Sequence, residues 1–220
     1  MSLEIGAKRT FACATEWPGW CRSGRDEDGA LAALLASAPR YARIVKSTKL
    51  RFAEPESVAD LRVTERLRGN ATTDFGAPGA PTRAESAPVS DTELARLRTF
   101  LEAGWNAFDR GVKSASGRQL RKGPRGGGRS VDAIVEHVRG AEAGYLSGLG
   151  WPFKLNEPGR ATGALKRTRA AVLDGLAASV RGEIAATGPR GGKRWTGRFF
   201  VRRLAWHTLD HLWEIEDRLE

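Results

Sequence analysis

Three features of the 220-residue sequence predict an α+β protein that is mainly helical. Residues 91–220 carry four long stretches with apolar residues on helical spacing, the pattern of helices packed along one side into a bundle. Residues 1–69 instead combine short strand-like runs with turn signals and one helical stretch. Between them, residues 70–90 are rich in Gly, Pro, Ser, Thr and Ala and lack apolar periodicity, which reads as a linker or an ordered surface loop.

The chain opens with LEIGAKRTFACATEWPGWCRSG, two strand-like runs broken at the turn signal Trp17-Pro18-Gly19. RDEDGALAALLASAPRYARIV follows as a helix, acidic early and basic late, the order that suits the helix dipole. SVADLRVTERLRG reads as a further strand and completes a small β-β-α-β unit. In the second part, DTELARLRTFLEAGWNAFDRGVKS begins with Asp91 as N-cap and keeps Leu94, Leu97, Leu101 and Trp105 in helical register. SVDAIVEHVRGAEAGYLSGL takes Ser130 as N-cap and sets Ile134, His137, Val138, Ala141 and Tyr145 on one side. ATGALKRTRAAVLDGLAASVRGEIA is an Ala-rich third helix, and RFFVRRLAWHTLDHLWEIEDRLE is the fourth. Helices of this length span ~30–37 Å, the scale of a four-helix bundle. The connection WPFKLNEPGR, with two prolines, is long enough to cross that bundle.

The formal net charge of +10, from 36 Lys+Arg against 26 Asp+Glu, admits acidic partners: nucleic acid, anionic metabolites or a membrane surface. Arg, Ala and Gly dominate while Lys is sparse, so a high-GC genome accounts for part of the excess. No apolar run approaches the ~18 residues of a membrane-spanning helix. Two cysteines, Cys13 and Cys21, are too few for a disulfide framework, and no signal peptide precedes them. A cytoplasmic protein is expected, with Cys21 as a small buried hydrophobe rather than a reactive thiol.

The sequence has three histidines, and all fall on bundle helices. His207 and His211, at i, i+4 in AWHTLDHLWE, project from one helical face about 6 Å apart along the axis and can grip one metal ion. His137 stands on the inward side of the second bundle helix. Three neutral nitrogen donors suit Zn²⁺, Ni²⁺ or Fe²⁺, with Zn or Ni preferred, and leave at least one coordination position free. A water or thiol bound there loses a proton near neutral pH. Asp210, Glu214 and Glu142 are the candidate catalytic acids, able to orient the imidazoles or relay protons. Glu216 and Asp217 read instead as a solvated salt-bridge face.

One histidine in the second helix and HxxxH in the fourth helix of a four-helix unit resembles the DinB-like (YfiT-like) superfamily of metalloenzymes. The resemblance covers about residues 91–220, and AWHTLDHLWEIEDRLE is its most specific part. It implies a divalent metal held by His137, His207 and His211, and an activity such as S-transfer from a low-molecular-weight thiol of the mycothiol kind, or hydrolysis. Residues 1–69 resemble the small β-α-β modules of HicB-like antitoxins through a strand, WPGWCRSG and DEDGALAALL, which bears on fold alone.

Residues 123–129, GPRGGGR, recur almost unchanged at residues 188–194 as GPRGGKR. Each copy feeds a helix that carries part of the histidine set. Arg125 and Arg190, with Arg129 and Arg194, are candidate holders of a ligand's carboxylate or phosphate, helped by the free N–H groups of a helix start. If the second and fourth helices run parallel, both loops rim one mouth and can jointly clamp an anion; if they run antiparallel, the loops cap opposite ends and share no pocket, the arrangement that a crossover between the second and third helices favours. The alternatives are a nucleic-acid or partner-binding protein that uses the basic loops, and a non-catalytic bundle stabilised by metal. Trp105, Trp151, Trp206 and Trp213 offer aromatic surface for a homodimer.

Overall fold

The computed structural model describes residues 1–122, 128–155 and 163–219. Four strands, β1 (Ser2–Ile5), β2 (Thr10–Cys13), β3 (Cys21–Gly24) and β4 (Glu65–Arg68), form one sheet in the order β3-β2-β1-β4. β1, β2 and β3 are antiparallel neighbours, and β4 joins β1 in parallel. The first 24 residues therefore give three strands where two are expected, because Gly6–Arg9 already closes a turn through the Gly6 N–H bond to the Arg9 carbonyl. The turn at Trp17-Pro18-Gly19 is present, with Gly19 at φ 94°.

The expected single helix after β3 is two, α1 (Glu27–Ala36) and α2 (Ala38–Val45). Asp26 caps α1 by accepting from the Gly29 N–H. Pro39 in the first turn of α2 has no N–H to continue α1, so the chain restarts there. The 70–90 segment is ordered: α3 (Ala71–Phe75) and a single 3₁₀ turn at Ala84–Ser86 strap it across the sheet and the last helix.

Four long helices follow: α4 (Asp91–Ser114), α5 (Val131–Leu149), α6 (Ala164–Val180) and α7 (Gly197–Arg218). The N-cap of α4 is Ser90, whose hydroxyl accepts from the Glu93 N–H, so Asp91 is the first helical residue and not the cap. Ser130 caps α5 as expected, and Thr196 caps α7. Salt-bridged Glu93 and Arg198 set α4 and α7 side by side at their N-terminal ends, and Leu212 reaches Gly111 near their C-terminal ends, so these two run parallel. α5 opposes α7: Trp195 donates its N–H to Gly148 at one end, and Arg218 donates to the Arg129 carbonyl at the other. α6 ends where α7 begins, with Leu176 and Val180 against Gly197. The bundle is thus up-down-down-up, with α4 antiparallel to α5 and α6 antiparallel to α7.

The sheet is buried on both faces, which is why β2 reads as a continuous buried run, TFAC. Leu3, Ala12 and Trp20 pack with Leu34, Tyr41, Phe100, Phe108, Leu209 and Trp213 in one cluster that runs from residues 1–69 into the bundle. On the opposite face Phe11, Cys13, Cys21 and Ala77 enclose Trp206. Cys13 and Cys21 are cross-strand partners joined as a disulfide, so neither is a free thiol and the expectation for Cys21 holds only as to its burial. Trp105, Trp206 and Trp213 are at most 5% exposed inside a single chain. They fill the core and leave no such surface for a homodimer. Trp151 is half-buried against Gly175.

Candidate metal centre

α5 and α7 meet through a stripe of α7 residues one turn apart, Arg203, His207 and His211, facing His137 on α5. The histidine nitrogens lie within 4.8 Å of one another. His137 Nε2 faces His207 Nε2 at 3.2 Å, and the His211 ring stands edge-on to both, at 4.7 Å and 4.5 Å between centroids. Two nitrogens held 2.0–2.1 Å from one ion at a tetrahedral angle are about 3.3–3.4 Å apart, so the observed pair fits such a donor set. His207 and His211 are each 8% exposed, while His137 is half-buried and opens the cluster to solvent.

The electrostatics favour the neutral form of His137 and His207. Burial, then the neighbouring His211, His137, Arg203 and Arg129, lowers the His207 pKa to about 2. The His137 pKa is lowered by burial first and then by His211 and Arg129. Neutral imidazoles keep the lone pairs that coordination requires.

Of the three expected acids, only Glu214 reaches the cluster. Its Oε2 lies 2.7 Å from His211 Nδ1, and Arg218 Nη1 donates to its Oε1 at 2.7 Å. The hydrogen bond from His211, with lesser help from Arg218, holds the Glu214 carboxyl below its usual range. Asp210 turns away: it pairs with Arg22 at 3.0 Å beside the sheet. It is one residue from His211, about 100° round the helix, which aims it at β3.

Glu142 is also apart from the histidines. It is 1% exposed, accepts from Trp105 Nε1 at 2.8 Å, and leaves its Oε2 without a hydrogen-bond partner among the described residues. Burial raises its pKa to about 7, opposed by the Arg169 charge. Because the folded-state value is raised, protonated Glu142 favours the fold, and that stability is lost as pH rises from 4.5 through about 7. The shift corresponds to about 3 kcal/mol. Glu142→Gln is therefore expected to match the native protein near pH 4.5 and to exceed it by about 3 kcal/mol at pH 8 in urea denaturation. Equal stabilities at pH 8 would show that the carboxyl is not strained there.

Arg129, the end of the first glycine–arginine segment, and the second segment, residues 188–194, lie at opposite ends of the antiparallel α5–α7 pair. Arg190 is exposed in the second loop, at the end of the bundle away from the histidines, and Arg194 packs on Gly150 and donates to the Ala185 carbonyl. Arg125 lies outside the described residues. Arg129 is at the histidine end, where its charge reaches His137 and His207. Two residues not singled out for chemistry by the sequence do adjoin the cluster: the Tyr145 ring is edge-on to His207 at 5.7 Å, and Arg203 lies over Tyr145 at 5.4 Å. The i−4 spacing of Arg203 from His207 was the available signal.

A family profile described as the DinB superfamily matches residues 100–215, which includes all three histidines. No curated protein and no solved structure matches the chain.

Proposed function

Because the chain belongs to the DinB superfamily, we propose that it is a metal-dependent enzyme in which His137, His207 and His211 hold one divalent cation, Zn or Ni by preference. The observation that carries this reading is the convergence of three imidazoles, two of them nitrogen to nitrogen, with His207 and His211 buried and His137 half-buried. Bound there, a divalent cation supplies Lewis acidity that brings the pKa of a thiol or a water toward neutrality. The reaction class is S-transfer from a low-molecular-weight thiol, or hydrolysis.

The chain's own residues supply order and charge. Glu214 accepts the His211 Nδ1 proton, which fixes the tautomer that leaves Nε2 free, and Arg218 fixes Glu214 in turn. His137, at the open side, marks where substrate enters. Elemental analysis of protein purified without a metal-affinity tag is expected to give one ion per chain; a metal-free protein that takes up no Zn or Ni overturns the reading. Glu214→Gln is expected to weaken metal affinity about 10–100-fold in a chelator competition. An unchanged affinity would remove Glu214 from the site.

A further inference from the structure

Arg203 is buried to nine-tenths, at 9% exposure, yet no acid or carbonyl hydrogen-bonds it among the described residues. Its guanidinium is clamped between two aromatic rings, 4.7 Å from the Trp206 centroid and 5.4 Å from that of Tyr145. The buried Nη1 has no hydrogen-bond partner among the described residues. Its neighbour Arg202 is neutralised by Glu85 at 2.5 Å, and both oxygens of nearby Glu4 are taken by Thr73, Gly79 and Ala80. A charge desolvated this far is normally paired. The Tyr145 hydroxyl likewise makes no hydrogen bond among the described residues.

The helix opposite leaves room. Gly144 shares the α5 face of His137 and Gly148. A Cβ added at Gly148 would meet Trp195 at 2.9 Å, whereas one added at Gly144 meets nothing within 4 Å. Gly144 is itself exposed, so none of the described side chains covers this turn of α5 next to Tyr145.

We propose that Arg203, with the Tyr145 hydroxyl, forms an oxyanion-binding subsite one helical turn from the histidines, so that the substrate carries a carboxylate or phosphate group. The aromatic clamp fixes the plane of the guanidinium, which presents paired N–H groups to a planar or tetrahedral oxyanion. One turn of α7, about 5–6 Å, separates that anchor from the reacting group held at the histidines. This location of the reacting group rests on the metal reading above; the subsite itself does not.

The test is calorimetric titration of the full chain, after dialysis against a chelator and at constant ionic strength, with inorganic phosphate and with malonate. Both are expected to bind the wild type, the tighter one naming the substrate's anion, and each at least tenfold more weakly to Arg203→Gln. Absence of binding in the wild type, or equal binding in the variant, overturns the subsite. Should Arg203→Gln not fold, Arg203→Lys decides: it keeps the charge and loses the fork, so wild-type affinity there also overturns it. Zinc and nickel content read on the same protein before the chelator step, and again after reloading with the metal, separates the two ideas. Zinc without Arg203-dependent anion binding removes only the subsite, and anion binding in a protein that takes up no metal removes only the metal reading.

Discussion

His207→Ala combined with His211→Ala takes the protein from one bound divalent ion per chain to none, measured by elemental analysis after gel filtration. Only His137 remains of the donor set, and a single imidazole does not hold a divalent ion at micromolar concentration against water. Because metal binding adds to folding free energy wherever the unfolded chain binds less well, the metal-loaded native protein has a higher Tm than its chelated form, whereas the double variant shows no such increment. Alanine keeps the helix intact, but both histidines are buried, so the double variant is compared with its own chelated form and not with the native protein. A double variant that still retains stoichiometric metal would place the site elsewhere.

Glu85→Ala destabilises the protein by about 3–5 kcal/mol, the cost of stranding a buried cation. Arg202 is 2% exposed and Glu85 5%; they meet at 2.5 Å and 3.2 Å. Arg202 also donates to the Ala80 carbonyl at 2.8 Å, and Glu85 accepts from the Thr82 N–H at 2.7 Å. The pair therefore fastens the 70–90 strap to α7 next to Arg203. Such a loss is a large share of the 5–15 kcal/mol that holds most domains together. Urea denaturation measures it directly, and a loss below about 1 kcal/mol would mean that water reaches Arg202 once the carboxylate is gone.

These two sites differ in how far they could be read from the chain. The histidine pair is a local pattern: i, i+4 spacing fixes which face of a helix two side chains share, whatever surrounds the helix. The same logic carried Glu214, three residues beyond His211, and paired Glu216 and Asp217 with the solvent side, where both meet Arg40. It failed for Glu142, which is five residues from His137 and so about 140° round α5, facing Trp105. It failed for Asp210 in the same way. The cross-strand cysteines depend on the register of β2 and β3 on either side of the Trp17-Pro18-Gly19 turn, and register is settled by the packing of the whole sheet.

Sequence alone determined the helical bundle, its small sheet-containing partner, the superfamily and the three histidines, because periodicity, capping and i, i+4 spacing are properties of neighbouring residues. Tertiary structure decided what the charges do. In the run VRRLAWH the two arginines are alike as letters. Packing gives Arg202 a buried carboxylate from a residue 117 positions away, and gives Arg203 two aromatic rings and, among the described residues, no hydrogen-bonded acid. Whether a buried cation is neutralised by a carboxylate or left without one depends on which distant segment folds over it, and that is fixed only when the strap and the α5–α7 pair are in place.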